Sequence, residues 1–144
     1  MSAAKIFGVA LWLFAAVAPA FAQAPLLGQG VQITASSGNV AAAAATATLA
    51  AAVGKVTYIC GFQATSGGAT AAAVVTLTLT NITGGTMSFT YGGNTGAGVP
   101  TAPLIVPFAP CIPANAPNTT IPVSMPSLGA GNTNATVSAW GFQR

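Results

Sequence analysis

No aspartate, no glutamate and no histidine occurs in this 144-residue chain. Its only charged side chains are Lys5, Lys55 and Arg144. General acid–base catalysis draws on groups that titrate near the working pH, chiefly His, Asp and Glu. A Ser or Cys nucleophile needs an adjacent base and an orienting third group. Lys55 is the one candidate base of the exported chain, and no serine stands in a pattern that pairs with it. Hard cations take carboxylates, and zinc takes four ligands drawn mostly from Cys, His and carboxylates; Cys60 and Cys111 alone do not close such a site. Gly84-Gly85 and Gly92-Gly93 lack the Lys-Ser/Thr that completes a phosphate loop. Scattered cations make no basic stripe for nucleic acid. The expectation is a non-enzymatic protein with no metal, no cofactor and no nucleic-acid partner.

What is present begins with an export signal. Lys5 forms a short positive region, and Ile6 to Val17 is an apolar run holding Leu11, Trp12, Leu13 and Phe14. Pro19 interrupts it, and Ala20-Phe21-Ala22 reads as a small-x-small cleavage site before Gln23. An uncleaved anchor is the competing reading; Ile6 to Ala24 is barely long enough to span a bilayer, and Pro19 sits badly for one. Residues 1–22 are thus read as a cleaved signal peptide, 23–30 as an extended arm, and 31–144 as one domain. No membrane span is expected after cleavage. The implied location is secreted, periplasmic or cell-surface, with a virion surface as a further option.

The exported part alternates with period two. Val31 to Ala35, Val56 to Gln63, Ala73 to Thr80, Thr86 to Tyr91, Leu104 to Phe108, Thr119 to Met125 and Val137 to Gln143 read as strands. Ala41 to Ala52 is alanine-rich, and alanine favours helix, but Thr46, Thr48 and the flanking Gly38 and Gly54 favour a strand of small residues. Ala73–Thr80 and Thr86–Tyr91 pair as a hairpin in this reading. Ser66-Gly67-Gly68 reads as a turn, Pro107 marks an edge strand or its early end, and Cys111 to Pro117 reads as a connection. About eight short strands separated by Gly, Pro and Asn predict an all-β antiparallel sandwich, jelly-roll-like. A seven-stranded immunoglobulin-like sandwich stays open, and a transmembrane barrel is disfavoured because aromatic girdles are missing.

Cys60 and Cys111 are the only cysteines. In an oxidising compartment a disulfide is the favoured reading, against two unpaired buried thiols. Two local patterns stand out as candidate surfaces. Cys60-Gly61-Phe62-Gln63 echoes Trp140-Gly141-Phe142-Gln143. Such strands either neighbour one another and stack Phe and Trp in the core, or form a shared aromatic platform. In the strand reading Val56, Tyr58, Cys60 and Phe62 share one face. The row Thr76, Thr78 and Thr80 is either a solvated β face or a hydroxyl ladder that orders water or meets a polar polymer. Sequons occur at Asn81, Asn118 and Asn134; they matter only where the host glycosylates exported proteins.

Soluble monomers ordinarily keep their net charge away from zero. With two cations left after cleavage, hydration here falls to Thr, Ser, Asn and Gln. Strands without lysine guards also pair readily at their edges. A homo-oligomer, or an assembly with other surface or virion proteins, follows as the expected state.

Tyr58-Ile59-Cys60-Gly61-Phe62-Gln63-Ala64-Thr65, Gly68-Ala69-Thr70-Ala71, Ala116-Pro117-Asn118-Thr119 and Gly129 to Ala135 with Gly141-Phe142 resemble a family of small exported bacterial and prophage-encoded proteins. The resemblance covers most of the exported chain. It implies a small β-sandwich with a virion-surface or cell-surface role, and it brings no catalytic residues. The function expected is a structural or decoration-type subunit. The main alternative is an adhesin or glycan-binding module using Trp140, Phe142, Tyr91 and neutral polar side chains; an ice-binding protein built on Thr76–Thr80 is the third.

Overall fold

Period-two alternation carries the chain through eight strands, with no helix among the described residues. The computed structural model describes residues 30–70, 73–92 and 100–144. The expected signal peptide and nearly all of the expected arm lie outside them. The strands are β1 (Val31–Ser36), β2 (Ala45–Leu49), β3 (Thr57–Gly67), β4 (Val74–Ile82), β5 (Gly85–Gly92), β6 (Leu104–Pro113), β7 (Ile121–Met125) and β8 (Asn134–Gln143).

Their pairing is nested. β1 pairs with β8, β2 with β7, β3 with β6 and β4 with β5, each antiparallel. The chain is one long hairpin rolled so that β3 also meets β8 and β4 also meets β7. The result is two four-stranded sheets: sheet A in the order β1-β8-β3-β6, and sheet B in the order β2-β7-β4-β5. This is the jelly-roll arrangement that the strand count suggested.

The core lies between the sheets, where alternate residues point inward. Leu49, Ile59, Phe62, Leu77, Leu79, Ile121, Val123, Met125 and Val137 are fully buried there. The Phe62 ring meets Phe89 edge-on at 5.0 Å and leans toward Phe108 at 6.2 Å. Burying a Phe or Leu side chain stabilises by about 1.5–3 kcal/mol, so this layer supplies most of the driving force. Ala45 and Ala47 face inward while Thr46 and Thr48 face out. Alanine's helix preference is thus overridden by pairing along β7, as the weakness of intrinsic propensity allows. Buried polar groups are met: the Gln143 amide donates to the Ala50 carbonyl at 2.7 Å, and the Thr57 hydroxyl donates to the same oxygen at 3.2 Å.

Three expectations are corrected. Ser66 and Gly67 belong to β3 rather than to a turn, because they continue the ladder opposite Ala135 and Asn134. Cys111, Ile112 and Pro113 belong to β6 rather than to a connection. Pro107 does lie on an edge strand, where a missing N–H costs no ladder bond. The third correction concerns faces. Phe62 does not share a face with Tyr58 and Cys60. The register of β3 shifts between Ile59 and Gly61 against both neighbours. Against β8 that shift leaves Cys60 as an extra residue, and a β-bulge exchanges the two faces of the strand beyond it. Thr57 and Ile59 are buried before the bulge; Phe62, Ala64 and Ser66 are buried after it.

Candidate functional site

The bulge determines what the outer face of sheet A carries. Between the pairs Ile59–Ile112 and Gly61–Pro107, β3 contributes only Cys60 while β6 contributes Phe108 to Cys111. Cys60 and Cys111 meet across that irregularity in a disulfide, with Cα atoms 4.2 Å apart. The Ala109–Pro110 peptide bond in the same stretch is cis. A disulfide of this kind forms and persists in oxidising surroundings.

The echoed motifs are neighbours, as expected, for β3 and β8 pair along their lengths. Their aromatics do not share the core. Phe62 points inward, whereas Trp140 and Phe142 are half-buried on the outer face. Phe142 stacks on Tyr58 with ring centroids 4.6 Å apart and planes 10° from parallel. The Trp140 indole lies across Gly61: a side chain there would collide with the ring and with the Val106 carbonyl. A bare glycine is what lets an aromatic recline on the strand.

A cleft of about 400 Å³ opens beside the indole, lined by Thr34, Ser36, Gln63, Ser138 and Trp140 together with Ala35 and Ala139. A second, of about 430 Å³, continues along the same two strands past Thr65, Thr136, Asn134 and Gly67 to Pro100. The residue pairs Gly61–Trp140, Gln63–Ser138, Thr65–Thr136 and Gly67–Asn134 succeed one another beneath them. The two shallow clefts therefore follow one another along the outer groove between β3 and β8. At about 3.3 Å of rise per residue, Trp140 to Asn134 spans about 20 Å. Hydroxyls and amides line it, and no charged side chain does. Lys55 and Arg144 sit beyond the other end of these strands, where Val56 and Arg144 exchange backbone hydrogen bonds.

The outer face of sheet B is different. Thr46, Ser124, Thr78 and Ser88 form one row across its four strands. The Thr46 and Ser124 hydroxyls hydrogen-bond at 2.9 Å. Thr76 pairs with Thr90 in the adjacent row. Thr76 is exposed, while Thr78 and Thr80 are half-buried. The threonine row is thus part of a hydroxyl surface wider than one strand, a feature that only the pairing register discloses.

Tyr91 belongs to neither face. It is buried, and its hydroxyl donates to the Ala102 carbonyl at 3.2 Å and hydrogen-bonds with the Thr101 hydroxyl. It fastens the segment leading into β6 against the sandwich and is not placed to touch a ligand. Gln63, Ser138 and Thr136 were not singled out from sequence. Their outward direction depends on the bulge and on the β3–β8 register. Among the sequons, Asn118 accepts a hydrogen bond from the Gly54 N–H through its side chain, and Asn81 donates to the Thr120 carbonyl.

Among the described residues no group of three or more His, Cys, Asp or Glu side chains is placed to hold a metal ion. No helix among them is long and apolar enough to cross a membrane. The chain matches no protein-family model, and no curated protein and no solved structure is similar to it.

Proposed function

We propose that this chain is a non-enzymatic structural subunit, exported and assembled with copies of itself at a cell or virion surface. The observation that carries the reading is the state of its sheet edges. Edge strands expose unpaired N–H and C=O groups, and soluble proteins guard them with lysine, proline or bulges. β6 has such a guard in Pro107, Pro110 and Pro113. β1 (VQITAS), β2 (ATATL) and β5 (GTMSFTYG) contain neither proline nor charge. Among the described residues each is paired on one side only. Val31 on β1 is 61% exposed, and Met87 on β5 is 37% exposed. The near-absence of charge removes the repulsion that keeps most soluble proteins apart. The disulfide supports an oxidising location, and the composition supplies no carboxylate or imidazole for catalysis.

The reading is tested by placing guards on the open edges. Gln32→Lys on β1 and Thr90→Lys on β5 both replace exposed, outward residues, so the fold is expected to survive. Together they shift the sedimentation profile from oligomer to monomer. Ile105→Lys on the proline-guarded β6 leaves it unchanged. An unchanged oligomer in the doubly guarded variant overturns edge-mediated assembly.

A further inference from the structure

Self-association through edges leaves the outer face of sheet A uncovered, and that face is more than a packing surface. We propose that the groove along β3 and β8 binds a neutral linear polysaccharide, with Trp140 as the stacking platform. This goes beyond the structural reading above and does not depend on it.

Four observations converge. First, the indole lies across Gly61 and lines the cleft. Reclined aromatics of this kind present a flat apolar surface to the C–H face of a pyranose ring. Second, Gln63, Ser138, Thr34 and Ser36 surround the ring in the same cleft. Amides and hydroxyls both donate and accept, which matches the paired donor–acceptor character of sugar hydroxyls. Third, the second cleft succeeds the first along the same strands, past Thr136 and Asn134, so that the two together cover about 20 Å, which suits a chain rather than a single ring.

The fourth observation separates a glycan from other polymers. No charged side chain lines the groove, and Lys55 and Arg144 lie past the far ends of its strands. Single-stranded nucleic acids use stacking platforms too, but they need a cationic track. An extended peptide adds to a sheet through free backbone groups. β3 and β8 are inner strands, each paired on both sides, so they offer a peptide only side chains. A neutral chain of rings with hydroxyl rims is the ligand left.

The test is affinity electrophoresis and calorimetric titration of the intact, disulfide-bonded protein. The probes are cellohexaose, mannohexaose and xylohexaose, with polygalacturonate as the anionic comparator. At least one neutral hexasaccharide is expected to bind, with an affinity unchanged by sodium chloride. Trp140→Ala is expected to weaken it about thirtyfold, the scale at which a central aromatic anchor acts. Gln63→Ala and Ser138→Ala replace groove hydroxyl and amide groups with little risk to the fold, and each weakens binding severalfold. Thr78→Ala, on the opposite sheet, leaves it unchanged. Unfolding midpoints establish that each variant is folded. Wild-type binding by folded Trp140→Ala, tighter binding of polygalacturonate, or no binding of any neutral hexasaccharide at millimolar concentration overturns the proposal.

Discussion

The two outer faces of this sandwich share a composition poor in charge and differ in almost everything else. Sheet B keeps its register across its centre, where the outer face is a row of short hydroxyls, and its register shift, between Leu79 and Ile82, lies out at the β4–β5 turn. Sheet A carries a bulge at Cys60, a disulfide, a glycine under an indole and a stacked Tyr58–Phe142 pair. Regular pairing of short side chains leaves little relief. An extra residue and a bare glycine let large side chains lie down and leave a groove beside them. Here relief comes from departures in the backbone, not from a change in polarity, since neutral side chains supply the hydration of both faces.

The inner and outer sides of β3 give the largest effect by which to break this contrast. Phe62→Ala removes a fully buried ring and is expected to lower stability by about 3–5 kcal/mol. Tyr58→Ala, on the outside, is expected to cost about 1 kcal/mol, mainly the stack on Phe142. Equal losses in guanidinium unfolding mean that the bulge does not exchange the faces. Next comes the disulfide. It closes a separation of 51 residues, and its removal in the Cys60→Ser/Cys111→Ser double variant is expected to cost about 4 kcal/mol in the chain-entropy model. Unfolding curves with and without reductant measure the same quantity in the unsubstituted protein.

A smaller effect tests the glycine itself. Gly61→Ala places a methyl group against the indole and the Val106 carbonyl, and overpacking of this kind costs about 1–3 kcal/mol. The indole must also lift, so tryptophan emission is expected to shift to longer wavelength along with the loss. A loss of stability with no spectral shift means the ring does not rest there. The smallest effect belongs to sheet B. Thr78→Val keeps the shape of the side chain on a partly solvated face, and its stability change is expected to stay within about 0.5 kcal/mol.

Strand positions were legible in the sequence because alternation reports them directly. Val75, Leu77 and Leu79 against Thr76, Thr78 and Thr80 announce both β4 and its buried side. The hairpin partner was legible too, since Gly84-Gly85 separates two alternating runs, and those strands do pair. The direction of Phe62 was not, because a bulge changes the parity of everything after it and leaves the pattern apolar on both sides. Cys60-Gly61-Phe62 reads as unbroken alternation until both neighbouring registers are known. The prolines of β6 misled for a related reason: they exclude a central strand but not an edge. The groove was invisible because its residues are ordinary Gln, Ser, Thr and Asn. What makes them a site is β3 lying beside β8, a relation between segments about 75 residues apart in the chain.

Assembly is the central claim, and sedimentation velocity tests it most directly. The chain from Gln23 onward is run over a concentration series at low and at high sodium chloride. With edges free of charge, association is expected at micromolar concentration and is expected to be the same at both ionic strengths, because there is no Coulomb term to screen. A single monomeric boundary at the highest concentration, or an oligomer that dissolves as salt is added, contradicts the account.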